Sequence, residues 1–281
     1  MKPLHCLMAA TLLLGLVPGA WAAESISLIR QDRTVVRGMV YRPASLCLGI
    51  AMVSPGAGGN EKGYDYLGKA LSSMGYLSIV IGHPESSRRE VRKHSWDKGP
   101  KAGLELLITE PQAYQGRYQD IDVYRRWAQS RCTGTESLLV GHSMGAATVM
   151  MQAGASNLLG MTAAAPFNVY IALSPQGSGI LFPANAWSGI NQPVLMLTGT
   201  RDDELDSSGW QSRTEPFRNM TGGCKWLGVI DGATHLNFAG TGLSRKTEAL
   251  TTQTLRAFLD GLHRGDCRYG TSTPGITVQS K

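Results

Sequence analysis

Residues 137–150 read "SLLVGHSMGAATVM". The apolar run Leu138-Leu139-Val140 meets Gly141-His142-Ser143-Met144-Gly145 and then the small pair Ala146-Ala147. A serine between two glycines, where a buried strand hands over to a helix, suits a strained turn that presents the hydroxyl. The glycines remove side chains that would clash there, and the alanines let the helix pack close. The competing reading is an ordinary Gly/Ser turn. A serine hydroxyl is a poor nucleophile unless a base takes its proton and donors hold the oxyanion that forms, so the rest of the chain decides between the two.

Outward from that stretch, apolar runs alternate with helical periodicity. "SISLIR" and "TVVRGMVYRP" alternate as a β-hairpin around Gln31-Asp32-Arg33, and "LCLGIAMVSPGAGGN" is a buried strand ending in a glycine-rich turn. Tyr64, Leu67, Leu71 and Met74 share one helix face that Gly75 stops, and "YLSIVIGHP" (76–84) is the next strand. Residues 85–116 read as an irregular, charged insertion or cap, ahead of a helix in "GRYQDIDVYRRWAQSRC". "VYIALSP", "PVLMLTGTRDD" and "CKWLGVIDGATH" supply three more strands, a final helix runs from about Leu243 to Leu262, and the tail 268–281 reads as loosely held. Unbroken apolar strands separated by helices predict one α/β domain over 23–281, its mostly parallel sheet covered by helices on both faces.

Residues 1–22 stand apart. Lys2, an apolar run from Leu4 to Leu16 and the small-x-small Ala20-Trp21-Ala22 have the pattern of a cleaved signal peptide, so the mature chain is expected to be secreted or periplasmic, with no stable membrane anchor. The whole chain has a formal net charge of +6, and losing Lys2 with no acid leaves one less, a mildly basic protein. The basic cluster of "SRREVRKHSWDKGPK" (87–101) reads as a solvated face, and nothing resembles a nucleic-acid module. Of five cysteines, Cys6 lies in the leader; Cys47, Cys132, Cys224 and Cys267 remain, with three pairings open and no metal-ligand spacing.

The base for Ser143 must be a histidine. His142 adjoins the serine and would point away from it, His94 lies in the charged insertion, and His263 ends the last helix, where a positive charge suits the dipole. His83 ends a strand and stands as a pocket residue, but it precedes the serine. His235, just past an apolar strand in "DGATHLNF", is the candidate, since strand ends share one rim in such a sheet. Asp202, first after Gly199-Thr200-Arg201, is the carboxylate to orient it, ahead of Asp203, with Glu204 and Asp206 read as solvated. The oxyanion donors fall to the backbone N–H groups of Met144, which opens a helix, and of Ala57, with Gly58 the alternative, in "SPGAGGN". No cofactor and no metal is called for. Pocket walls are expected from 85–116 and from "PQGSGILFPANAWSG" (175–189), where Leu181, Phe182 and Trp187 either line the pocket or anchor the loop; His142, His83 and Trp187 are kept as pocket candidates.

Together, "VSPGAGGNEKGYDYLGKALSSMGYLSIVIGHPESS", "LLVGHSMGAATV", "PVLMLTGTRDD" and "DGATHLNF" resemble the α/β-hydrolase superfamily over roughly residues 35–262. The likeness is nearest its dienelactone hydrolase-like branch, with platelet-activating-factor acetylhydrolase-like enzymes and cutinase-like polyester hydrolases. The resemblance implies an α/β-hydrolase fold and a cofactor-free Ser-His-Asp esterase mechanism, which maps onto Ser143, His235 and Asp202. Ala57 stands where cutinase-like polyester hydrolases carry an aromatic residue, which speaks against a polymer substrate. Ser143 stands where dienelactone hydrolases proper use cysteine, which speaks against theirs. The strand order of that fold also implies the pairs Cys47–Cys132 and Cys224–Cys267. The expectation is an exported serine hydrolase acting on a small-molecule or lipid-like ester. The alternatives are a lipase, thioesterase or amidase with the same triad, or an inactive binding protein.

Overall fold

The computed structural model describes residues 23–162, 166–205, 208–240, 244–268 and 273–281. The leader expected at 1–22, together with Asp206 and Leu243, lies outside the described residues. Among the described residues no helix is long and apolar enough to cross a membrane.

Among the described residues, nine strands form one sheet: β1 (Glu24–Ile29), β2 (Val35–Tyr41), β3 (Gly49–Ser54), β4 (Tyr76–Ile81), β5 (Glu136–His142), β6 (Val169–Leu173), β7 (Val194–Arg201), β8 (Lys225–Thr234) and β9 (Ile276–Ser280). Their spatial order is β1-β2-β4-β3-β5-β6-β7-β8-β9. From β4 to β8 the pairings are all parallel. The β1–β2 hairpin at one edge and β9 at the other are antiparallel. A parallel strand needs both faces covered, and β3 shows how this sequence manages it. All its residues are buried; Ile50 and Met52 join the core on one face, while Ala51 and Val53 join the core on the other.

Helices α4 (Pro111–Gln129) and α5 (Met144–Gln152) cover the first face with Tyr114, Ile121, Tyr124, Val149 and Met150. Helices α1 (Asp65–Ser73) and α7 (Arg245–Arg264) cover the second with Leu67, Leu71, Leu255, Phe258 and Leu259. The last helix begins where the Ser244 hydroxyl accepts from the Thr247 N–H at 3.2 Å, an N-cap that satisfies one of the first-turn donors. A short helix, α6 (Glu215–Asn219), follows a 3-10 turn over Trp210–Thr214.

Two expectations need correction. Residues 85–116 are not irregular: α2 (Arg88–Lys98) and α3 (Pro100–Ile108) fold back on each other, and α4 already starts at Pro111. Gly99, at φ 81°, makes the left-handed corner, and Pro100 and Pro111 each open the helix that follows, so proline here starts helices instead of marking loop. Nor is the tail loose over its whole length. Ile276–Ser280 pairs antiparallel along β8 from Ile230 to Trp226, with Ile276 buried, because the last parallel strand otherwise leaves its edge donors and acceptors open.

The disulfides are Cys47–Cys132 and Cys224–Cys267, with Cα–Cα separations of 5.5 and 5.6 Å. This is the pairing that the resemblance implies. Each joins segments at the end of the sheet where the parallel strands begin, leaving the opposite rim free of cross-links.

Candidate active site

Ser143 follows β5 directly and precedes α5. Its backbone sits at φ 56°, ψ −119°, a conformation that costs a non-glycine residue roughly 1–3 kcal/mol and persists only when its surroundings impose it. The surroundings are close backbone contacts. A Cβ on Gly145 would lie 1.9 Å from the Ser54 carbonyl oxygen, and one on Gly141 would lie 2.1 Å from that of Gly145. Helix α5 therefore rests directly on the ends of β3 and β5, and the turn between has no other path.

The register of β7 against β8 positions the next two residues. Arg201 pairs with Thr234 after an irregularity that begins at Gly199, so Asp202 and His235, each the residue after its strand, emerge side by side. Such a bulge re-aims the chain at a strand end. A Cβ on Gly199 would lie 2.2 Å from the Ala233 carbonyl oxygen, so a glycine is required there. Thr234 and Asn237 form a reciprocal capping box that holds the 3-10 turn His235–Ala239 in place.

These placements bring three side chains into one hydrogen-bonded chain. The Ser143 hydroxyl donates to His235 Nε2 at 2.9 Å, and His235 Nδ1–H donates to Asp202 Oδ1 at 2.9 Å. The second carboxylate oxygen accepts from Thr198 Oγ1 at 2.9 Å. Asp202 is fully buried, whereas the His235 side chain is 32% exposed and Ser143 is half-buried. A dry carboxylate thus faces a wet imidazole, the arrangement that fixes a tautomer and stabilises a transient imidazolium. Of the neighbouring acids, Asp203 accepts from the Trp210 N–H and Glu204 from the Gly177 N–H and Ser212, so both are tied to loops.

The glycine-rich turn after β3 runs against the serine: a Cβ on Gly56 would stand 3.2 Å from the Ser143 Cβ. Its N–H groups are already divided. Gly56 N–H donates to the Tyr64 hydroxyl at 3.1 Å, Gly58 N–H to the Ser86 carbonyl at 2.8 Å and Gly59 N–H to that of Gly56 at 3.0 Å. Among the described residues none accepts from the N–H of Ala57 or of Met144. Between Ala57 and Gly58, the free donor is Ala57.

Two further residues enter that the sequence reading did not assign. Tyr64, read there only as helix face, passes the Gly56 hydrogen bond on: its O–H donates to His142 Nδ1 at 2.8 Å, and His142 Nε2–H donates to the His235 carbonyl at 3.0 Å. One chain of hydrogen bonds therefore ties the glycine turn to the loop that carries His235. Burial holds the His142 imidazole well below the usual histidine pKa and pushes the Tyr64 hydroxyl up to about 12, so both stay neutral. The second is Arg213, from the 3-10 turn, whose Nε lies 3.0 Å from Asp202 Oδ1. Nothing in "SSGWQSRTEPF" marks it, because its role depends on three strand ends meeting.

The hydroxyl of Ser143 opens on a cavity of about 500 Å³. Ala57 and Tyr64 line it from the glycine turn, Arg88, Leu104 and Ile108 from the α2–α3 hairpin, and Ile180, Leu181, Leu205 and Leu236 from the loops opposite. His142 and Leu181 are in this wall; His83 and Trp187 are not. His83 is buried beneath the turn against Ser54 and Asp120. Trp187 is fully buried, its ring 5.3 Å from that of the equally buried Phe182, so those two aromatics anchor the loop. Among the described residues no group of three or more His, Cys, Asp or Glu side chains is gathered as metal ligands would be.

No family model and no curated protein matches the chain. Its fold is similar to that of an alpha-beta serine hydrolase homologue from Coxiella burnetii, with 15% identity and a TM-score of 0.53 over 83% of this chain and 97% of that one. It is also similar to a protein assigned as a dienelactone hydrolase from Klebsiella pneumoniae, with 19% identity and a TM-score of 0.57 over 86% of this chain and 98% of that one. At such identities the likeness speaks to the fold, and the fold is that of the α/β-hydrolases.

Proposed function

With an α/β-hydrolase fold as the premise, we propose that this chain is a serine hydrolase of carboxylic esters. The observation that carries the reading is the Ser143–His235–Asp202 hydrogen-bonded chain ending at the wall of an aliphatic cavity. Ser143 Oγ attacks the ester carbonyl carbon as its proton passes to His235 Nε2. The carbonyl oxygen, now an oxyanion, lies against the N–H groups of Ala57 and Met144. On collapse the ester C–O bond breaks, and the alcohol leaves with the proton from His235. Water, deprotonated by the same imidazole, then attacks the acyl-enzyme, releasing the acid and restoring Ser143. Asp202 holds the ring in the required tautomer throughout.

The lining favours an aliphatic acyl or alcohol group. Leu104, Ile108, Ile180, Leu181, Leu205 and Leu236 supply apolar surface, while Phe182 and Trp187 are turned into the core. Two disulfides suit an oxidising compartment, which is where export through the 1–22 leader would deliver the protein.

The test uses p-nitrophenyl butyrate beside matched thioester and anilide substrates, and a fluorophosphonate probe mapped by peptide mass spectrometry. The ester is expected to turn over fastest and Ser143 to carry the phosphonyl group. A Ser143→Ala protein that hydrolyses the ester as fast as the wild type would refute the assignment, and faster anilide or thioester cleavage would move it to another acyl transfer.

A further inference from the structure

Arg213 is 3% exposed, and its guanidinium reaches three strand ends at once. Nε–H points between the Asp202 carbonyl at 2.6 Å and Asp202 Oδ1 at 3.0 Å. Nη1 donates to the carbonyls of Ser174 at 3.2 Å and Pro175 at 3.1 Å, just past β6. Nη2 donates to the Asp203 carbonyl at 3.0 Å and lies 3.4 Å from His235 Nδ1. The last contact is not a hydrogen bond in the working tautomer, because that nitrogen gives its own proton to Asp202. It is a fixed cation at the edge of the imidazole.

We infer that Arg213 is a positioning residue for hydrolysis, which locks Asp202 onto His235. The inference rests on the reaction proposed above. Two physical arguments carry it. First, the planar fork of arginine, with every N–H directed at a carbonyl, carboxylate or ring edge, fixes a turn that has no regular structure of its own. Ser174, held at φ 52° beside Leu173 at the end of β6, is part of what it clamps. Second, Arg213 Nε lies 3.0 Å from the same Asp202 Oδ1 that accepts the His235 Nδ1–H, so the guanidinium fixes the oxygen that orients the ring. The ionisable groups facing His235 are Asp202 from the end of β7, Arg213 from the 3-10 turn and His142 from the end of β5, its ring centroid 4.7 Å away. Burial keeps His142 neutral, so Arg213 is the cation that balances Asp202.

The experiment compares wild type, Arg213→Met and Arg213→Lys on p-nitrophenyl butyrate from pH 5 to 9, with thermal unfolding alongside. Arg213→Met should lose about 10- to 100-fold in kcat with little change in KM, as expected when the orienting partner of a reacting group is removed. Arg213→Lys keeps the charge without the fork, so kcat should remain depressed. A Met variant with kcat within about twofold of wild type overturns the inference, as does a loss confined to KM. If the Met variant does not fold, Arg213→Lys decides alone, and a wild-type kcat there overturns it. Fluorophosphonate labelling of the wild type at Ser143 is read first, so failure of the esterase reading is separate from failure of this one.

Discussion

Among the described residues stand two serine–histidine–aspartate chains whose atomic contacts are nearly the same. In one, Ser143 bonds His235 at 2.9 Å and His235 bonds Asp202 at 2.9 Å. In the other, Ser54 bonds His83 at 2.9 Å and His83 bonds Asp120 at 2.8 Å. Each carboxylate also meets an arginine: Arg213 Nε at 3.0 Å from Asp202, and Arg30 Nε at 2.6 Å from Asp120. The differences lie around the contacts. Ser54 is fully buried at the end of β3, and its oxygen already accepts from Arg117 Nη1 at 3.0 Å. That arginine also donates to the Pro55 carbonyl at 2.7 Å and the Ser86 hydroxyl at 2.7 Å, so the cluster is a polar rivet beneath the glycine turn. Burial pushes the Asp120 carboxyl up and holds the His83 imidazole down. Ser143 instead sits on a strained corner, facing a cavity and two backbone donors with nothing to bind. On the proposed reading, what separates the two serine-imidazole-carboxylate chains is space for a substrate and donors not yet committed.

Experiments can break that contrast in order of effect. Ser143→Ala should lower kcat/KM by about four orders of magnitude or more at unchanged stability. Ser54→Ala should keep turnover within about tenfold and take no label difference at Ser143. If the Ser54 variant were the inactive one, the assignment of the two chains would be reversed. Next comes Asp120→Asn, which takes from the Arg30 guanidinium, 3% exposed, the one fully buried carboxyl among its three acidic partners. It should cost about 3 kcal/mol in urea unfolding, because buried donors of Arg30 and His83 lose an acceptor oxygen. Asp202→Asn should reduce kcat by about four orders of magnitude. A smaller effect is expected for Ser54→Ala itself, about 1–3 kcal/mol from stranding the partners of a buried hydroxyl.

The smallest effect concerns acid sensitivity. His142 stays neutral in the folded protein well below its ordinary range, whereas in the unfolded chain it takes up a proton near pH 6.5. The unfolded state therefore binds more protons as pH drops below that value, and stability falls. The slope contributed approaches about 1.4 kcal/mol per pH unit. His142→Gln should flatten the dependence of the urea midpoint on pH between about 6.5 and 5. The raised carboxyl of Asp120 acts in the opposite direction, losing stability as pH rises, but it is common to both proteins and cancels in the difference. Parallel midpoint curves would show that His142 is protonated in the folded state after all.

Periodicity and turn chemistry alone determined much of this protein. The fully apolar strands, the Gly-x-Ser-x-Gly corner and the positions of Asp202 and His235 just past strand ends are local patterns, because backbone geometry constrains each within a few residues. The helical hairpin at 88–108 was illegible for the opposite reason: α2 is charged on most sides, and α3 is a nine-residue, mostly apolar stretch too short to show a clear period. Strand β9 was hidden because a short segment at a sheet edge draws its stability from a partner almost fifty residues earlier. Tertiary structure alone decided which Ser-His-Asp set opens on the cavity, that Gly58 is committed while Ala57 is free, that Trp187 packs inward and that Arg213 closes on Asp202. Each of those depends on where separate strand ends come to rest against one another, and hydrogen-bond partners that distant in sequence leave no trace in the order of the residues between them.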